Sequence, residues 1–469
     1  MKKKSILVLL FLSIITSVNG ASIDTLKTKP DTLKEVSEPF AFGDFTWLNG
    51  NDRRHTDILD SKYFTPRIYL DVNLTESNRH PIDNTVVGST VMARNNEFEI
   101  SDAAFGGDFH FGNVRASIVT QLGTRVSEVA RTDLSVLHGQ YDLANAYKYF
   151  SEANAGYHFN IWHGINVDAG IFLSYIGLFS FYNAENWSYQ PSFTSDNTPW
   201  FFNGIRVQLF PTNKLKIETW ITNGWQSYGK YNQGFGFGGS IMYRPKEFLD
   251  FVTNGYLGHD TQDAVNRTRY HSDNTVQIRF YKSPVTFISM EAISLTGDVG
   301  WEIGDGVNGF NSSPSFGPAQ YFLSGMFYNR MQFVNNTFGW TFGGGFINNP
   351  GRYLVLPPPG AASAVPAINN VITGTTGVGL YPFTLNAGDQ FKGLDFSTTL
   401  DWMPSEYITF RIELVHRSAN VPYFNGPGGV TSPDGYTNTP YGPGTANPNW
   451  RPDLVKSETR LLGALLVRF

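Results

Sequence analysis

From Tyr63 to the C-terminus, apolar and polar side chains alternate at a period of two in about sixteen segments, each near the roughly 9–11 residues that a tilted membrane strand needs. They centre on Tyr69, Asp108, Ile118, Asn154, Ala169, Arg206, Ile217, Ser240, Thr253, Gln277, Met290, Leu323, Trp340, Thr398, Ile412 and Leu465. The last, 458–469, is the plainest. Counting back from Phe469, Val467, Leu465, Gly463 and Leu461 fall on one face and Arg468 and Arg460 on the other, over a strand roughly 40 Å long at about 3.3 Å per residue. The connections alternate too. Those at 112–113, 161–164, 210–214, 244–248, 282–286, 329–334 and 403–407 are short, and several carry Pro, Gly or Asn. The others are long and polar, and the longest, 347–390 and 418–456, are Gly-, Pro- and Ser-rich loops rather than hidden domains. Short periplasmic turns alternating with long extracellular loops characterise a transmembrane barrel. The expected fold class is therefore all-β: a transmembrane antiparallel β-barrel of about 16 strands (range roughly 14–18) over residues 62–469.

The same alternation assigns charged side chains to an inner face, because Arg or Lys facing lipid at the bilayer midplane costs about 2–4 kcal/mol. The basic set is Arg67, Arg115, Arg206, Lys216, Arg279, Arg411, Arg460 and Arg468; the acidic set is Asp71, Asp108, Glu152, Asp168, Glu218, Asp250, Glu291, Asp395, Asp401 and Glu413. Of these, Arg115, Arg206, Arg279, Arg411, Arg460, Asp108, Asp168, Glu218 and Glu413 are the pore-lining candidates. A lumen of mixed sign either pairs its charges within the wall, the expected role for most, or sets up a transverse field that orders water. Two arginines at a constriction would favour anions. In 165–173, Ile165, Val167, Ala169, Ile171 and Leu173 alternate with Asn166, Asp168, Gly170 and Phe172, so Asn166 and Asp168 face water. The aromatic- and amide-dense loop that follows, 183–200, is expected to pack at the rim, with folding into the lumen as the alternative.

The N-terminus adds an address. Lys2, Lys3 and Lys4, the apolar run 6–15 and the small residues Val18 and Gly20 read as a cleaved signal peptide over 1–20, the apolar run being too short to span a bilayer. Its removal takes three lysines and no acid, so the formal charge moves from −5 to −8, which argues against nucleic acid as a partner. Residues 21–61 are expected to be a flexible periplasmic segment, since 21–39 is Lys-, Asp-, Glu-, Thr- and Pro-rich with few apolar residues. There is no cysteine, hence neither disulfide nor lipid anchor. The nine histidines are scattered, no H-x-x-x-H pair or G-x-S-x-G elbow occurs, and the Gly-rich run 234–239 is not followed by a helix. No catalytic, metal or cofactor-binding residues are assigned, and no enzyme is expected.

Strand count bears on what such a barrel does. About eight strands are filled by side chains, 16–18 leave an aqueous channel, and a plugged transporter needs about 22. A final strand ending on an aromatic residue resembles those of Gram-negative outer-membrane barrels, in which it closes the sheet and serves the assembly machinery as a signal; Phe469 takes that place here. The phrases FTWLNGN (45–51), GGDFHFGNVRASIVTQLG (106–123), HGINVDAGIFLSYIGLFSFYNAENW (163–187), NTPWFFNG (197–204) and NGWQSYGKYNQ (223–233) resemble the OmpL-like family of β-barrel outer-membrane porins. The resemblance is dense from Phe45 to about Tyr243. It implies an outer-membrane porin through which small hydrophilic solutes diffuse passively, without naming the solute. A sugar-selective channel and a non-conducting structural or adhesin barrel are the alternatives. Outer-membrane lipid, the barrel assembly machinery and, given the width, a homotrimer are the partners such a porin implies.

Overall fold

The computed structural model describes residues 38–469 apart from 131–132, 134, 136–138, 262–263, 313–318, 352, 355–389 and 437–451. The expected signal peptide and the stretch 21–37 lie outside the described residues, as do the middles of the two longest loops. Sixteen long strands run in chain order: β1 (Phe64–Ser77), β2 (Phe98–Phe111), β3 (Val114–Thr120), β4 (Phe150–Phe159), β5 (Ile165–Leu173), β6 (Phe201–Thr212), β7 (Leu215–Thr222), β8 (Gly236–Lys246), β9 (Leu249–Gly258), β10 (Thr268–Lys282), β11 (Ile288–Gly304), β12 (Tyr321–Phe333), β13 (Phe338–Asn349), β14 (Phe391–Ser405), β15 (Ile408–Ala419) and β16 (Ser457–Arg468). Each pairs antiparallel with its sequence neighbours, and β1 closes on β16 from Tyr69↔Arg468 to Ser77↔Arg460. At the seam the Ile68 N–H donates to the Phe469 carbonyl at 2.8 Å and the Phe469 N–H returns to Ile68 at 2.9 Å. The ring of Phe469 stacks on Tyr407. Every centre read from the alternation lies in its own strand, in order.

Alternation builds the wall because a strand sends successive side chains to opposite faces and only one face meets lipid. Leu70, Leu74, Ile118, Ile205, Ile241, Leu400, Ile412 and Leu461 are exposed on the outside. Asn73, Asp168, Glu218, Gln277, Thr399 and Arg460 are buried inside. Phe109, Phe111, Phe159, Trp162, Phe248, Phe287 and Trp402 are exposed near the short-turn rim, as in an aromatic girdle. The tightest turn, 112–113, depends on Gly112 at φ +58°, where a side chain would be strained. Among the described residues no helix is long and apolar enough to cross a membrane.

Two expectations are corrected. Residues 38–61 are not a free lead-in. Residues 43–54 enter the barrel at the short-turn mouth while 55–61 stay exposed; the Phe40 N–H reaches Asn213 (2.8 Å) and Arg53 reaches the carbonyls of Ser405 (2.7 Å) and Ile408 (2.8 Å). Phe45, Trp47, Leu48 and Asn49 are buried. The physical reason is composition: the polar stretch ends near Pro39, and the aromatic run after it gains by leaving water. Glu291 does not point inward either. Its neighbours Met290 and Ala292 are the buried ones, and it faces Asn329 across the sheet. Glu291 falls in the same unbroken alternation as the outward Ile293, Leu295 and Val299, and near a strand end the cost of an outward charge falls.

Candidate functional site

The site is the lumen, which is partly occupied by the chain's own residues. The loop between β5 and β6 (174–200) turns inward rather than packing at the rim, and every residue from 186 to 200 is buried. Charged wall side chains hold its backbone. Glu413, assigned as pore-lining, accepts the N–H groups of Tyr189 (2.5 Å) and Gln190 (2.8 Å) and the hydroxyl of Thr399 (2.7 Å). Arg411 donates to the Asn186 carbonyl at 2.8 Å and, with Arg330, clamps Asp401 at 2.7 and 2.9 Å. Arg330 also reaches the Trp187 carbonyl at 3.3 Å. Arg460 contacts the Gln190 side chain at 3.2 Å and Glu458 at 2.6 Å. Arg417 donates to the Pro191 carbonyl and pairs with Asp196 at 2.8 Å. Burial pushes the Asp196 carboxyl upward, and Arg417 opposes that rise.

The other assigned residues stand elsewhere on the wall. Asp168 joins Arg115 (3.2 Å) and Arg206 (2.9 Å), and Arg206 lies over the rings of Phe172 and Trp220. Asp108 and Glu152 share Arg67 at 3.2 and 2.7 Å. Glu218 pairs with Lys216 at 3.0 Å and accepts from Gln208 at 2.8 Å. Arg279 sits at the short-turn mouth against Glu247 (2.9 Å) and Asp44 (3.5 Å), with Trp47 beneath it. Of the five candidate arginines, Arg115 and Arg206 share a partner, whereas Arg279, Arg411 and Arg460 each hold a different one among the described residues.

The N-terminal segment meets the inward loop. Trp187 donates its Nε1–H to the Trp47 carbonyl (3.0 Å) and its N–H to Asn49 Oδ1 (2.6 Å), while the Asn49 N–H reaches Gln277 on β10 at 3.0 Å. Trp47 Nε1–H donates to the Glu247 carbonyl at 2.9 Å. Burial would raise the Asp44 carboxyl, but hydrogen bonds from Thr46 and the charge of Lys282 outweigh it and hold the pKa at about 2. Cavities lie beside the segment among the described residues. One of 320 Å³ is lined by Asn49, Tyr175, Trp200, Lys216, Glu218, Arg244, Asp250 and Gln277. Another, of 280 Å³, lies at the mouth among Trp47, Arg53, His55, Arg279, Gln332 and Glu406. No group of three or more His, Asp or Glu suited to a metal occurs among the described residues.

Sequence reasoning missed Arg330, Arg417, Trp47 and Asp196. One signal was available: Leu462, Ala464 and Leu466 make the inner face of β16 apolar as well, and they are buried in one cluster with Val86, Val91 and Met92 of loop 78–97 and with Tyr189. An apolar inward face needs something inside to cover it.

The family described as "Putative beta-barrel porin-2, OmpL-like" matches residues 64–440, most of the barrel. The chain belongs to this family. It is an outer-membrane β-barrel of the porin type, as the phrases quoted above imply. No curated protein matches the sequence. Similar solved structures include OmpT, an outer membrane protein of Vibrio cholerae (9% identity, 88% of this chain and 100% of that one, TM-score 0.46). Others are the outer membrane channel DcaP of Acinetobacter baumannii (9%, 87% and 97%, 0.45) and an anion-selective porin from Comamonas acidovorans (10%, 87% and 99%, 0.45).

Proposed function

We propose that this porin passes small hydrophilic solutes down their gradients through the part of the lumen that the inward loop and the N-terminal segment leave free, with no catalysis and no energy input. The observation that carries the reading is the 320 Å³ cavity within the barrel, bounded by wall charges on one side and by Asn49 and Trp200 on the other. Its lining of Lys216, Glu218, Arg244 and Asp250 suits water and polar solutes and disfavours apolar ones. Its size, at the lower end of the about 300–1,000 Å³ of small-molecule pockets, implies a narrow pathway with lower conductance than an open sixteen-stranded barrel would have. A second reading, a sugar-selective channel, is favoured by Tyr175 and Trp200 lining the same cavity beside Asn49 and Gln277. In either case lipid surrounds the outer wall, the assembly machinery engages β16 and Phe469, and the apolar wall suits a homotrimer.

Conductance of the pure protein in planar bilayers tests the proposal. Small, non-saturating currents support diffusion, and saturable block by a sugar supports the selective channel. No current, under all voltages and in the presence of candidate solutes, would leave a closed structural barrel.

A further inference from the structure

The long-loop rim of the barrel faces the cell exterior, because short turns mark the periplasmic side. Where β14, β15, β16 and β1 meet it, this rim is basic. Lys392, at the start of β14, is exposed and shares the outward phase of Leu394 and Phe396. Lys456 is exposed just before β16. Arg79 follows β1, and its guanidinium donates to the Ser457 carbonyl at 2.8 Å and to Ser457 Oγ at 3.0 Å. Backbone hydrogen bonds fix the three in a row: the Asn420 N–H reaches the Lys392 carbonyl at 2.9 Å and the Ala419 N–H reaches the Lys456 carbonyl at 2.7 Å. With strands about 4.8 Å apart, Lys392 and Lys456 stand roughly 10 Å from each other at the backbone, and Arg79 one strand further on.

These cations are unmatched. Elsewhere on the same rim Arg94 is held by Glu97 at 2.7 Å and Arg267 faces Glu302 at 3.9 Å. The acids near the basic row are engaged otherwise: Glu76 with His80 at 2.8 Å, Glu458 inside the lumen with Arg460 at 2.6 Å, and Asp453 with the Gly428 N–H at 2.7 Å. Just below the row the outer face carries Ser418 and Ser457, opposite each other in register, and the exposed His416, whose Nδ1 lies 2.8 Å from Thr459 Oγ1. Lower still it is bare and apolar, with Leu394 60%, Phe396 51%, Leu414 44% and Leu461 53% exposed. One strip of wall therefore passes from cations through hydroxyl and imidazole groups to hydrocarbon. A membrane lipid has the complementary order: phosphate, polar headgroup, acyl chain. Unpaired Lys and Arg at a membrane surface are matched by headgroup phosphate, whose oxygens accept strong charge-assisted hydrogen bonds. A free phosphate would use the cations but not the apolar strip beneath them. The spread of the row suits two phosphates carried on one sugar headgroup better than a single phosphate.

We propose that Lys392, Lys456 and Arg79 bind the phosphorylated sugar headgroup of an outer-leaflet glycolipid, whose acyl chains lie along Leu394, Phe396, Leu414 and Leu461. The test uses the full mature protein refolded in detergent without lipopolysaccharide, titrated with bisphosphorylated lipid A and with the same lipid stripped of its phosphates, and read by native mass spectrometry. The wild type should take up one bisphosphorylated lipid per chain, at least about ten-fold more tightly than the stripped one. Lys392→Gln with Lys456→Gln should remove most of that preference, and Arg79→Gln should weaken it further. Inorganic phosphate in equal amount should not displace the lipid. Equal binding of the two lipids would overturn the site by leaving only acyl packing, and an undiminished preference in the double variant would overturn it by placing the headgroup elsewhere. Displacement by inorganic phosphate would overturn it in favour of a free-anion site. Should Arg79→Gln disturb the rim through Ser457, the lysine pair decides, since neither amine holds a hydrogen bond among the described residues.

Discussion

Trp47 is the residue on which docking of the N-terminal segment should depend most. Its indole is 4% exposed, packs beneath the Arg279 guanidinium, donates to Glu247 and offers its carbonyl to Trp187. Truncating a buried tryptophan to alanine costs about 3–5 kcal/mol. At roughly 1.4 kcal/mol per tenfold, Trp47→Ala should lower the docked-to-undocked ratio of residues 38–61 by about two to three and a half orders of magnitude. Trp47→Phe keeps most of the packing and loses the indole hydrogen bond, about 1 kcal/mol, so the ratio should fall only about five-fold. Two readouts on the folded barrel follow the same equilibrium: cleavage of the segment by added protease, and single-channel current in planar bilayers. Both should rise strongly for Trp47→Ala and slightly for Trp47→Phe. A Trp47→Ala barrel whose segment stays protected and whose current is unchanged would refute the view that this contact holds the mouth closed.

Asp401→Asn should lower the unfolding temperature markedly, because it leaves the buried guanidinium groups of Arg330 and Arg411 without their shared counter-charge, a loss of about 3–5 kcal/mol; a shift within error would mean the pair is compensated elsewhere. Asp44, whose folded pKa of about 2 lies below its ordinary 3.8, stabilises the docked segment above the ordinary value, and this contribution disappears as pH falls toward 2. Protease protection in the wild type should therefore persist to near pH 4 and weaken below it, while Asp44→Asn removes that step; an identical acid profile in the variant would count against the assignment. Replacing Arg115 and Arg206 together by alanine strips Asp168 of both partners and should move the reversal potential in a salt gradient toward cations, with Asp168→Asn restoring it; no movement in a folded variant would place the trio away from the conducting path. Deleting Phe469 removes the last backbone pair of the seam with Ile68 and should reduce the heat-modifiable folded form on gels, whereas full assembly would argue against its closing role.

The wall was legible in the sequence because its cause is local. A strand in a membrane must alternate, each of the sixteen segments carries its own record of which face meets lipid, and Asn166 and Asp168 could be turned inward from nine residues alone. The family resemblance was legible for the same reason, as contiguous phrases. The contents of the lumen were not, because they depend on contacts between residues far apart in the chain. Glu413 meets Tyr189 across 224 positions, Trp187 meets Asn49 across 138 and Arg460 meets Gln190 across 270, and no periodicity encodes such pairings. An inward charge reads identically whether it lines water or clamps a loop, so Arg411 and Glu413 were placed on the correct face without their partners being known. The decision belonged to burial. Once Phe45, Trp47, Leu48 and the aromatic loop 186–200 leave water for the barrel interior, every polar wall group they cover must find a new partner or bear the desolvation cost, and only the assembled tertiary structure shows which groups do so.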